Sequence, residues 1–216
     1  MKQLYLSSAK WVFPAVAVLL ISSLFSGCGP FYGIFIQPLT PKPKVAAEHK
    51  MNDKRLLIWV DDYSSQQPNP TLRRELSTQL QQELLQHQAA GSIIDYIDTA
   101  QFRYRQPDFA RLTIQQLGQK NQADEVLYLL IEKFDLFQDA DKGFYQASLS
   151  GYAKVIDVAT GNRLWPADRN HTPFSDENQL TGESGSTLED KLIQQLAQKL
   201  AQQLASFFYD HQKTAP

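Results

Sequence analysis

The sequence predicts an α/β domain: one mixed β-sheet with helices packed on it in two or three layers, in the order β-α-β-α-β-β-β-α. Three observations predict it. Leucines recur at every fourth residue in two stretches, Leu72, Leu76, Leu80, Leu84 and Leu188, Leu192, Leu196, Leu200, Leu204. Short unbroken apolar runs such as Arg55–Asp62 (RLLIWVDD) stand between turn signals. A later stretch, Phe144–Asp157, alternates apolar and polar residues. The first pattern is one face of a helix, the second a strand buried on both faces, the third a strand with one face in water. With 216 residues, 43% hydrophobic and 20% charged, the chain suits one domain with appendages.

The amino terminus comes first in the chain and reads differently. Lys2 and Lys10 precede an uncharged stretch, Trp11–Phe25. It is shorter than the roughly 20 apolar residues of a spanning helix, and it contains Pro14 and the pair Ser22-Ser23. Charge, short apolar core and small-residue exit make a secretory signal over residues 1–27. The exit, Leu24-Phe25-Ser26-Gly27-Cys28, resembles the bacterial lipobox. That resemblance implies cleavage between Gly27 and Cys28 and acyl chains (palmitate among them) on Cys28, the single cysteine of the chain. Each buried methylene contributes about 0.8 kcal/mol, so one acyl chain holds marginally and two or more hold firmly. The alternative is an uncleaved anchor helix ending in a buried cysteine. Gly29 follows, where an inner-membrane lipoprotein of a Gram-negative cell commonly has Asp, so the expected location is the outer membrane facing the periplasm. The predicted partner of Cys28 is thus the membrane itself.

Residues 28–54 carry Pro38, Pro41 and Pro43 and read as a semi-rigid tether. The apolar patch Phe31, Tyr32, Ile34, Phe35, Ile36 within it is either a strap packed on the domain or a segment at the lipid interface. The domain is expected over 55–210, with 211–216 as a tail. Asn69-Pro70 starts a helix to about Gln88, with Asn as N-cap and Pro at the first position. Ser92–Ile97 is predicted as a second strand, and Asp108 as the cap of a second helix with Phe109, Leu112 and Leu117 inward. Glu125–Phe137 is a strand, apolar first and alternating later. Asp139–Gly143 is a turn. Phe144–Asp157 places Ala147, Leu149, Ala153 and Val155 on one face and Gln146, Ser148, Ser150 and Lys154 on the other. Asp157–Gly161 makes the next turn, with the Asp carboxylate capping backbone amides and Gly161 supplying positive φ. Asn162–Trp165 returns, Pro166 stops it, and residues 167–185 read as a loop. Ser186-Thr187-Leu188-Glu189 is a capping box opening the last helix.

Two of these segments carry a further resemblance. Ala123-Asp124-Glu125-Val126-Leu127-Tyr128 resembles the "ADxVLxG" strand of a group of envelope proteins, with Leu129 in place of its Gly. Val155-Ile156-Asp157-Val158-Ala159-Thr160-Gly161 resembles the group's "VxDxxTG" hairpin. The group includes the TolB amino-terminal domain, the curli secretion (CsgG) family and LpoB. The resemblance spans roughly residues 55–165. It implies a non-enzymatic protein that touches other envelope proteins or assembles with itself. Pore-forming relatives insert long lipid-facing hairpins. The outward face of Phe144–Asp157 is small and polar, and its turn is short, so an oligomeric secretion pore ranks last.

Charge excludes one class. Lys2 and Lys10 are the only charges in residues 1–27, so the mature chain keeps 19 of 21 basic residues against 23 acidic ones, a net near −4. No nucleic-acid footprint exists there. No catalytic set, metal site or cofactor is expected. The histidines at 49, 87, 171 and 211 lack ligand spacing. Asp139–Gly143 lacks the ligands of a calcium loop, with Ser150 where its Glu belongs. Gly182–Ser186 lacks the final Gly and the leading strand of a nucleophile elbow. What remains is a candidate interaction surface: Asp61 and Asp62 at a strand end, where α/β sheets hold ligands; Arg103, Tyr104 and Arg105 in a strand-end loop; and Trp165, either exposed with Phe174 or closing the core. A protein partner or self-association is the leading expectation. The alternative is a binding or hydrolytic protein for a cell-wall polymer or small molecule, using Asp61, Asp62 and the Arg103–Arg105 segment.

Overall fold

The computed structural model describes residues 43–62, 69–182 and 186–212. Gly27, Cys28, the expected signal peptide, the expected tether before Pro43 and the Glu183-Ser184-Gly185 segment lie outside the described residues.

Among the described residues, eight strands and four α-helices follow in order: β1 (Lys44–Val45), β2 (Met51–Asp61), α1 (Pro70–Gln86), β3 (Ala90–Ile93), α2 (Tyr96–Arg105), α3 (Ile114–Lys120), β4 (Glu125–Asp139), β5 (Phe144–Asp157), β6 (Arg163–Trp165), β7 (Thr172–Thr181), α4 (Ser186–Ala205) and β8 (His211–Gln212). A 3₁₀ turn at Pro107–Arg111 joins α2 to α3, and another at Ser206–Phe208 ends α4. The main sheet runs β3-β2-β4-β5-β6, with β7 pairing β5 on the same edge as β6. β2 is parallel to β3 and β4, and the other pairs are antiparallel. The sheet is therefore mixed and the fold α/β, as the patterns predict.

The connections put helices on both faces. The chain steps outward from β2 to β3, then back across β2 to β4. Parallel crossovers keep one hand, so reversing the direction of travel moves the second connection to the opposite face. α1 and α4 lie on one side and bury Leu72, Leu76, Leu80, Leu84, Leu192, Leu196, Leu200 and Leu204. Leu56, Ile58, Val60, Leu127, Leu129 and Ile131 meet them from the sheet. α2, α3 and the turn between them cover Leu57, Trp59 and Val126 on the other side. The arrangement has three layers over β2 and β4 and leaves the outer face of β5 and β7 polar.

The inward face of β4 stays in phase because of one extra residue. Ile131 pairs with Gly151 and Lys133 with Ser150, so Glu132 is a bulge. Before it Leu127, Leu129 and Ile131 point inward; after it Phe134 and Leu136 do. Gly151 faces the bulge. A Cβ there would come within 2.0 Å of the Leu130 carbonyl oxygen and 2.8 Å of the Phe174 ring.

The two motif segments meet at one end of the sheet. Asp124 accepts the Arg55 amide at 2.8 Å and its carbonyl receives the Val158 amide at 2.9 Å. One Asp157 carboxylate oxygen takes both the Thr160 amide and hydroxyl at 2.7 Å. Gly161 then turns at φ +76°. These bonds hold the Asp157 carboxyl below the usual carboxylate range.

Several expectations are corrected. The second strand ends at Ile93, because the Asp95 side chain caps a helix, accepting the Ile97 amide at 2.8 Å. The Arg103 segment is thus helical rather than loop. Asp108 lies in a 3₁₀ turn, and Thr113 caps the following helix through a capping box with Gln116. Residues 172–181, expected as loop, form β7; its inward residues Phe174 and Leu180 alternate with polar ones, a weak signal beside the polar tract. Residues 44–54, expected as tether, and His211–Gln212, expected as tail, belong to the fold through β1, β2 and β8. Their pairing is carried by backbone bonds that few apolar residues announce.

Gly151→Ala is expected to cost about 1–3 kcal/mol, read by urea unfolding, while Ser150→Ala on the polar face stays within about 0.5 kcal/mol. Thr160→Ala should move the Asp157 carboxyl back up toward the ordinary range in a carbon-13 NMR titration. A depressed carboxyl stabilises above its unfolded pKa and loses that contribution as pH falls through its folded pKa. The stability gap between wild type and Thr160→Ala should accordingly narrow on acidification; a gap that widens contradicts the assignment.

Candidate functional site

The carboxyl end of β2 delivers alternate residues to opposite faces, so Asp61 and Asp62 part company. Asp62 is 3% exposed and turns toward α1. Its two oxygens lie 2.6 Å from one guanidinium nitrogen of Arg73, and one accepts the Asn69 amide at 2.9 Å. Asn69 in turn caps α1, accepting the Leu72 amide at 2.9 Å. Asp62 therefore pins the start of α1 to the end of β2, and its role in the described structure is architectural.

Asp61 faces α2 and α3. The Tyr128 hydroxyl of β4 donates to it at 2.7 Å. Arg103, inward on α2, donates to the Val60 carbonyl. Its guanidinium lies 3.9 Å from the Trp59 ring centroid and 5.0 Å from that of Phe109. Such stacking is worth about 0.5–2 kcal/mol when desolvated. Burial, then repulsion from Arg73, lowers the Arg103 pKa to about 10, against the pull of Asp61, Asp62 and Tyr96. Burial, then the bond to Asp61, raises that of Tyr128 well above the usual phenol range. Lys154 stands 5.5 Å over the Tyr128 ring and is lowered by burial and by Arg163.

A cavity of about 150 Å³ opens beside this cluster, lined by Trp59, Asp61, Phe109, Ile114, Leu117 and Tyr128 among others. The structure thus gathers Asp61 and Arg103 of the predicted surface, and adds Trp59, Phe109 and Tyr128. The aromatics are missed by sequence because three separate elements bring them together. Asp95 ahead of an amphipathic stretch is the signal that could have placed Arg103 on a helix.

The remaining predicted residues go elsewhere. Tyr104 is 91% exposed and Arg105 is exposed. Trp165 is 1% exposed, packs against Phe207 and Phe208, and donates its indole N–H to Glu48 at 2.7 Å. Phe174 is buried too. Exposed surface at Trp165 is corrected: it closes the core under α4. His49 bonds Glu125 at 2.8 Å, and among the described residues no cluster of His, Cys, Asp and Glu could hold a metal ion.

No protein-family model matches the chain, and no curated protein does. Solved structures do. A PelC dodecamer from Paraburkholderia phytofirmans is 13% identical, with a TM-score of 0.41, covering 76% of this chain and 98% of that one. Lipoprotein GNA1162 from Neisseria meningitidis is 16% identical, with a TM-score of 0.41, covering 68% and 97%. The hypothetical protein CT253 from Chlamydia trachomatis is 13% identical, with a TM-score of 0.44, covering 73% and 94%. The likeness is to bacterial lipoproteins and a PelC-type protein, and all three superpose loosely.

Asp62→Ala is expected to cost about 3–5 kcal/mol, since it strands a buried guanidinium. Adding Arg73→Met should recover part of that loss in a double-mutant cycle. Urea denaturation reads both, and a loss under about 1 kcal/mol would class the pair with exposed ones.

Proposed function

We propose that this protein is a lipid-anchored module of the bacterial envelope, held through Cys28, that works by contact with an envelope protein or with its own copies rather than by catalysis. The observation that carries the reading is Leu24–Cys28, a lipobox-like exit directly after a short apolar stretch and holding the lone cysteine. Gly29 in place of Asp favours the outer membrane facing the periplasm. The resemblance of residues 123–128 and 155–161 to the TolB, CsgG and LpoB group supports a non-enzymatic role.

The geometry suits an anchored module. The segment leading from the tether is bound into the domain at several points. β1 pairs β8, the Ala47 amide bonds Asp210 at 2.9 Å, Glu48 takes the Trp165 indole, and His49 reaches Glu125. The contact surface we favour is the outer face of α2. Ile97 is 63% exposed, and Tyr104 lies seven residues on, on the same face. Arg105 flanks them. Exposed apolar side chains grouped on one helix face are a mark of interaction sites.

Fatty-acid labelling in cells should mark the wild type and miss Cys28→Ala, which should also leave the membrane fraction. A photo-crosslinker at position 104 should capture a protein in intact cells, and Ile97→Glu should abolish that product while leaving stability within about 0.5 kcal/mol. Labelling that persists in Cys28→Ala sinks the anchor; crosslinks to lipid alone sink the interaction module.

A further inference from the structure

The sheet ends in two unequal edges. β3 is four residues long, and so short an edge offers little to pair with. β7 runs ten residues, and among the described residues no strand pairs its far side. The Gly182 amide donates to the Gly143 carbonyl at 2.9 Å, which continues the β5–β7 register by one pair. Even-numbered residues of β7 therefore turn their backbone groups toward β5. Alternate residues of an antiparallel strand bond to opposite sides. The backbone groups of Pro173, Ser175, Glu177, Gln179 and Thr181 consequently point outward, and all five residues are exposed.

That outward row is interrupted where an added strand would need it. Pro173 has no N–H to offer. At the centre of the row, the Glu177 amide donates to the Asp176 carboxylate at 2.7 Å. The Glu177 carbonyl accepts from the Lys199 ammonium of α4 at 3.4 Å. Lys199 and Asp176 stand 3.8 Å apart, which joins the two bonds into one clasp. The Glu177 side chain lies along the sheet, held by Gln146 at 2.8 Å and Gln179 at 3.0 Å. A second copy could add its own β7 antiparallel, about a twofold axis at residue 177. Ser175 would then pair with Gln179 of the other copy, and Pro173 with Thr181. Glu177 would face Glu177, and like charges directly opposite disfavour pairing. We infer that Pro173 and the clasp of Asp176, Glu177 and Lys199 close this edge against strand addition by a second copy of this chain. Contact between copies is thereby steered to other faces. The inference stands apart from the anchor reading, because it needs nothing from residues 1–42.

Two measurements on the full-length chain in detergent micelles test it. In the wild type, amide hydrogen exchange followed by NMR, corrected for intrinsic rates, should be slower at Glu177 than at Ser175 and Gln179. Asp176→Ala should remove that difference. In sedimentation with density-matched detergent, the triple variant Asp176→Ala/Glu177→Thr/Lys199→Ala should rise toward twice the wild-type mass with concentration, since a twofold pairing closes on itself. The amides of Ser175, Gln179 and Thr181 should slow in step with it. Adding Gln179→Pro, which deletes one outward N–H, should return the mass to that of the wild type. The inference is overturned if the triple variant keeps the wild-type circular dichroism and sediments as the wild type does. It is overturned equally if the variant dimerises with those three amides still fast, or if Gln179→Pro leaves the dimer intact. Exchange at Glu177 as fast as at its neighbours in the wild type would remove the clasp itself, whatever the triple variant does.

Discussion

The structure depends on burying both faces of two adjacent parallel strands. β2 and β4 present Leu56, Ile58, Val60, Leu127 and Leu129 to one side and Leu57, Trp59 and Val126 to the other. Neither side can be left in water. Each buried aliphatic or aromatic side chain contributes about 1.5–3 kcal/mol relative to exposure, and the backbone between them must find its bonds within the sheet. Parallel strands require crossovers, and the crossovers become the two covering layers. The strip of β5 and β7 beyond these layers needs only one covered face, and α4 supplies it. The change from a sheet buried twice to one buried once occurs along β4, at the Glu132 bulge, where the chain changes phase to keep its apolar side inward.

The same requirement creates the Asp61–Arg103 cluster. A strand buried on both faces ends by sending successive polar residues to opposite layers. Asp62 finds Arg73 and the start of α1; Asp61 finds Tyr128 under α2 and α3. Burial would be costly for either carboxylate alone. Arg73 offsets it for Asp62, and for Asp61 the Tyr128 hydroxyl and the nearby charge of Arg103 do so. Arg103 shows the strain of the arrangement in its lowered pKa of about 10, the consequence of a guanidinium removed from water and set near a second one. It remains charged at neutral pH, stacked on Trp59 rather than solvated.

At the opposite end of β2, the segment before the strand lies on the surface but is fastened to the core. Glu48, His49 and Met51 each meet buried partners: the Trp165 indole, the Glu125 carboxylate and the cluster under α1. Glu125 is 2% exposed, and the His49 ring meets its carboxylate at 2.8 Å. The carboxyl terminus returns to the same place, with β8 on β1 and the Phe207 carbonyl accepting the Glu48 amide at 2.8 Å. Both ends of the domain thus converge beside Trp165.

What the sequence determined by itself was whatever depends on local periodicity and local chemistry. The leucines at every fourth residue located α1 and α4, because a helix repeats every 3.6 residues and one stripe must be buried. Asn69-Pro70 located a helix start, and Asp157, Thr160 and Gly161 a turn, because each makes its bonds within a few residues of itself. The α/β class followed from the order of those periods. Tertiary structure alone decided the rest. Residues 44–45, 51–54 and 172–181 became strands because neighbouring backbones were waiting for them, which their side-chain pattern barely announces. Trp165 went inward because Glu48 and Phe208 lay across from it. Asp61, Arg103, Trp59, Phe109 and Tyr128 became one cluster because three elements crowd the end of a twice-buried strand, and their meeting depends on distances in space that the linear order does not encode.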